Sequence, residues 1–140
     1  MTNTIRRELK FSQPPEKVWR ALTNSETLAQ WMYPNDFEPR VGHHFTFRVP
    51  PNARMNGLTV HCEVLKCVPA SELLFTWVVG EVNELDTRVS YRLEPDGEGT
   101  RVLFEHSGFE QTPAFKGSEY GWKVMHGKLA KVLEPAASEV

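Results

Sequence analysis

The chain has 140 residues, 40% of them hydrophobic and 24% charged, a balance that buries about 70% of the unfolded surface in one core and argues for a single domain over residues 1–140, ordered from about 5 to 134. A formal net charge of -2 with dispersed basic residues offers no electrostatic footprint for nucleic acid. No apolar run approaches a membrane span, and the first eight residues lack the apolar region of a secretory signal, so a cytoplasmic protein is expected.

Ile5, Leu9 and Phe11 alternate with Arg6, Glu8 and Lys10, a period of two that predicts a first or edge strand whose apolar face is interrupted by Arg7. Ser12 and the pair Pro14-Pro15 end it. A short amphipathic helix follows over Pro14 to Thr23, started by proline, with Val18, Trp19 and Leu22 sharing a face. Asn24-Ser25 breaks that helix and caps a second one through Leu28 to Trp31. Pro34 and Pro39 bracket a short extended segment.

From Val41 onward the chain alternates in successive runs. Phe45, Phe47 and Val49 share one face, then Leu58, Val60, Cys62 and Val64 after the polar loop Pro50 to Gly57. Leu73, Phe75, Trp77 and Val79 follow, then Val89, Tyr91 and Leu93, the turn Pro95 to Gly99, and Val102, Phe104 and His106. Such a series means an antiparallel sheet with one buried face. Cys62 and Cys67, five apart in one strand, point to opposite faces while that strand is regular, so reduced thiols are expected.

A last helix supplies the cover. Thr112-Pro113 reads as its start, and Phe115, Ser118, Trp122, Met125, Leu129 and Leu133 form one stripe. Lys116, Lys123 and Lys131 take the solvated side. Gly117, Gly121 and Gly127 make the isolated segment a poor helix, so tertiary packing has to hold it. Pro135 to Val140 reads as a frayed tail.

These segments, in this order, resemble the START-related, birch-pollen-allergen-like superfamily with the helix-grip fold. Within it they are similar to the branch of the C-terminal domain of the activator of the ninety-kilodalton heat-shock-protein ATPase. The resemblance spans about Ile5 to Leu133. It rests on Pro15 to Thr23 with Val18-Trp19 at its centre, Trp31, Gly42, Leu74-Phe75-Thr76-Trp77, Gly99-Thr100-Arg101, His106-Ser107-Gly108-Phe109 and Gly121-Trp122. Gly42-His43 stands where the family usually shows paired glycines. The resemblance implies an α+β fold: a curved antiparallel sheet wrapped around a long C-terminal helix, two short helices after the first strand, and a cavity between sheet and helix that in many relatives holds an apolar small molecule.

No nucleophile elbow, phosphate loop, dinucleotide fingerprint or zinc-protease motif occurs, so no catalytic residue and no cofactor is assigned. His43 and His44 are adjacent and point opposite ways on a strand, which argues against a shared metal. The cavity candidates are Trp31, Phe47, Val60, Cys62, Phe75 and Trp77, joined by Tyr91, Phe104, His106, Trp122, Met125 and His126. Alternation turns His106 into the space under the helix, and His126 lies at the margin of the helical stripe. Each histidine either orients a ligand in an apolar pocket or is a core-edge residue hydrogen-bonded to backbone. Three functions compete: a non-catalytic binder of an apolar or aromatic small molecule, a module that assists a chaperone or other protein, and a cyclase- or hydrolase-type enzyme in the same cavity. The last lacks an acid-base constellation.

Overall fold

The computed structural model describes residues 3–51, 57–79, 85–109 and 114–133. The described elements run β1 (Asn3–Phe11), α1 (Pro15–Thr23), α2 (Ser25–Trp31), β2 (His44–Val49), β3 (Leu58–Val68), β4 (Glu72–Val79), β5 (Leu85–Asp96), β6 (Gly99–Phe109) and α3 (Ala114–Leu133). This is the α+β helix-grip arrangement. All strand pairs are antiparallel, in the order β1-β6-β5-β4-β3-β2. Sequence neighbours β1 and β2 therefore lie at opposite edges, and α1 and α2 carry the chain between them.

Local chemistry accounts for the helix boundaries. Pro15 opens α1, where its missing N–H costs nothing, and Asn24 Oδ1 accepts from the Thr27 N–H at 3.0 Å to start α2. Val18, Ala21 and Leu22 of α1 are buried, while Trp19 is half-buried against the core rather than wholly inside it. On α3, Trp122, Met125, Leu129 and Leu133 are buried and Lys123 and Lys131 are exposed, as the stripe predicts. The Thr112-Pro113 start, the Phe115 and Lys116 side chains, the centre of the Pro50 to Gly57 loop and the Pro135 to Val140 tail lie outside the described residues.

The β5–β6 turn is tighter than the sequence suggests. Pro95 pairs with Thr100 and Asp96 with Gly99, leaving only Gly97-Glu98 to reverse the chain, with Gly97 at φ +62. Gly99 is fixed by close approach. A Cβ there would collide with the Phe11 carbonyl oxygen, a backbone atom that cannot swing aside. Gly99→Ala is expected to destabilise the fold by about 1–3 kcal/mol through this overlap, read from a urea melt. An unchanged midpoint would show that the end of β1 yields.

The two cysteines correct an expectation. A bulge between Val64 and Lys66 shifts the β3–β4 register, so that Cys67 stands opposite Leu73, a buried inner-face residue. The strand is not regular, and Cys67 packs on the core from the same face as Cys62. Distance now keeps the thiols apart: five steps of strand span roughly 15 Å, about twice the reach of a disulfide. Both are free. Mild oxidation followed by mass analysis should give no Cys62–Cys67 bridge, and detecting one would overturn the register.

Candidate functional site

Two rows of inner-face residues cross the sheet beneath α3. Ile5, His106, Val89, Phe75 and Val64 stand side by side in one, and Arg7, Phe104, Tyr91 and Leu73 in the next. α3 lays Trp122 and His126, one turn apart, over these rows. Trp122 meets Phe104 at 4.7 Å between ring centroids and Trp77 at 5.1 Å. His126 meets Phe104 at 4.6 Å, Tyr91 at 5.9 Å and Trp31 at 6.2 Å.

His106 sits in a closed hydrogen-bond chain. The Trp122 indole, which can only donate, gives its Nε1–H to His106 Nδ1 at 2.8 Å. The proton of the neutral ring is thereby placed on Nε2, which donates to Thr87 Oγ1 at 2.7 Å; Thr87 in turn donates to the Trp77 carbonyl at 2.8 Å. Both ring nitrogens are used. Their partners are side chains rather than the backbone groups expected from sequence, and burial lowers the His106 pKa to about 3. His106→Phe leaves the buried Trp122 N–H without an acceptor, at an expected cost of about 1–3 kcal/mol, without altering which hydrophobic probes bind. Thermal melts and probe titrations of wild type and variant check this; unchanged melting with altered probe selectivity would put the ring in contact with ligand.

His126 is different. It is buried rather than marginal, its Nε2 lies 3.1 Å from the Tyr91 hydroxyl, and among the described residues its Nδ1 has no hydrogen-bond partner. Burial lowers its pKa to about 3, and the nearby charge of Arg7 adds to the effect. Arg7 Nε is also buried without a partner. Buried polar atoms are rarely left unpaired.

The remaining candidates form an adjoining aromatic group. Phe47 stands 5.6 Å from Trp77 and 6.4 Å from Phe75, while Val60 pairs with Phe47 and Cys62 with Phe45 across β2 and β3. Trp31 donates its Nε1–H to the Ala21 carbonyl at 3.0 Å, which fixes α2 to α1. Burial, reinforced by Asp36, pushes the Cys62 thiol well above its usual range, the wrong direction for a nucleophile. Two polar residues escaped selection from sequence. Arg7 had a signal, the break in the β1 apolar face; Thr87 lies two before Val89 and could have been reached by extending that alternation. Among the described residues no group of three His, Cys, Asp or Glu is placed to hold a metal, and no helix is long and apolar enough to cross a membrane.

A family model described as activator of Hsp90 ATPase homolog 1-like protein matches residues 12–134. The chain belongs to this family. No curated protein matches this Hsp90-activator-like domain, but solved structures do. Protein MLL2253 from Mesorhizobium loti is 35% identical with a TM-score of 0.85, covering 94% of this chain and 97% of that one. BH1534 from Bacillus halodurans is 28% identical with a TM-score of 0.78, covering 96% and 100%. The Aha1 dimer from Colwellia psychrerythraea, at 24% identity, TM-score 0.80 and coverage of 96% and 98%, shares the fold.

Proposed function

We propose that this Hsp90-activator-like domain is a non-catalytic, cytoplasmic protein that binds an apolar or aromatic small molecule between the sheet and α3. The observation that supports the reading is the unpaired His126 Nδ1, buried among the rings of Trp31, Tyr91, Phe104 and Trp122. An apolar wall with a few convergent polar atoms is the usual composition of a small-molecule site, and a ligand would supply the missing partner. Native mass spectrometry of freshly purified protein should find a retained small molecule, or a hydrophobic probe should bind saturably and quench tryptophan fluorescence. Neither retention nor saturable binding would sink the reading.

A second reading, a protein-interaction module serving a chaperone, draws on the family description and on Tyr120 and Val124, exposed four apart on the outer side of α3. Adding the purified protein to a ninety-kilodalton heat-shock-protein ATPase tests it: a rise in ATP turnover that is lost in Tyr120→Ser supports it, and an unchanged turnover counts against it.

A further inference from the structure

We infer that the ligand carries a carboxylate, and that Arg7 and His126 receive it at the end of the apolar site. The inference rests on the small-molecule reading above and deepens it. Arg7 projects from the inner face of β1 in the row Arg7, Phe104, Tyr91, and Phe104 and Tyr91 both pack on His126. Among the described residues the Arg7 side chain has neither an ion pair nor a hydrogen bond, whereas Arg6 on the outer face is bound to Glu105 at 3.1 Å. Arg7 is half-buried, and its Nε–H is out of reach of water and has no acceptor, which leaves a polar hydrogen of the inner face unpaired.

The tautomer of His126 decides the sign of the second group. The Tyr91 hydroxyl has no acceptor among the described residues other than His126 Nε2. If Tyr91 donates to Nε2, the one unpaired atom left is Nδ1–H; if the ring donates instead, both the Tyr91 proton and the Nδ1 lone pair are stranded. Fewer stranded atoms favour the first arrangement. The inner face then presents two unpaired donors, Arg7 Nε–H and His126 Nδ1–H, beside the positive charge of a half-buried guanidinium. One carboxylate matches that single charge and can accept both hydrogens, whereas a phosphate dianion would bring a second negative charge with no cation to meet it.

A matched pair of probes tests this: 2-naphthoic acid and 2-naphthalenemethanol, titrated by tryptophan fluorescence at neutral pH. The wild-type protein should bind the acid at least about tenfold more tightly than the alcohol, the scale of a charge-assisted hydrogen bond. Arg7→Met, which keeps an apolar stem, should abolish the preference while retaining alcohol binding; Arg7→Lys should restore part of it. The wild-type comparison stands even if Arg7→Met does not fold. Equal affinities for acid and alcohol would overturn carboxylate recognition and leave the apolar site standing, and failure of both probes to bind would overturn the two together.

Discussion

Acidification from about pH 7.5 to about pH 5 is expected to destabilise the folded protein steeply, with the folding constant falling about tenfold per buried histidine for each pH unit below the unfolded pKa. His106 and His126 have folded pKa values lowered from 6.5 to about 3. The unfolded chain takes up protons on these rings near 6.5, while the native interior refuses them until about 3. Between those limits the unfolded state binds more protons. The stability these neutral rings contribute is therefore fully present above 6.5 and is lost as the pH falls toward 3. At His106 the cause is structural as well as dielectric, since a proton on Nδ1 would meet the Trp122 N–H head-on. At His126 the Arg7 charge opposes a second cation. Urea melts across this range measure the effect, and a midpoint that stays flat down to pH 5 would show that the rings titrate as if exposed.

Trp122→Ala should cost about 3–5 kcal/mol, the range for truncating a large buried aromatic. Trp122 is 1% exposed and touches the rings of Trp77, Phe104, His106 and His126. Its loss opens a void at the centre of the α3 contact and strips His106 Nδ1 of its donor, so two penalties fall on one site. Trp122→Phe helps to separate them, since it removes the N–H with only the pyrrole part of the indole and keeps a six-membered ring in most of the space. The two variants should therefore differ by the cavity contribution in paired denaturant melts. A midpoint unchanged in Trp122→Ala would mean that α3 does not dock through this residue.

Most of the framework was legible because strand alternation and helical spacing are local signals. Val60, Cys62 and Val64, or Trp122, Met125 and Leu129, report their buried face without knowledge of any partner. Events that depend on a neighbouring strand were not legible. The β3 bulge that turns Cys67 inward is a matter of pairing with β4, and the tight approach at Gly99 is made by a residue of β1. The candidate site divides the same way. Tyr91, Phe104, Trp122 and His126 could be nominated one by one from their own strands and helix, but whether each polar atom is satisfied is a property of the assembled set. His106 and His126 look alike in sequence, yet one ring has both nitrogens engaged and the other has one unpaired.

The placement of β1 also has a consequence for the order of assembly. β1 pairs with β6 alone, and their contacts include Arg6 with Glu105, 99 positions apart. During synthesis the first strand emerges long before its partner exists, while the β3–β4 and β5–β6 hairpins can close on themselves at once. Closing so long a loop costs entropy that only the completed inner face repays, which makes this a slow step for a chain of this size. Until it closes, Ile5 and Arg7 have no wall to stand against, so the arginine joins the interior only when the last strand is in hand.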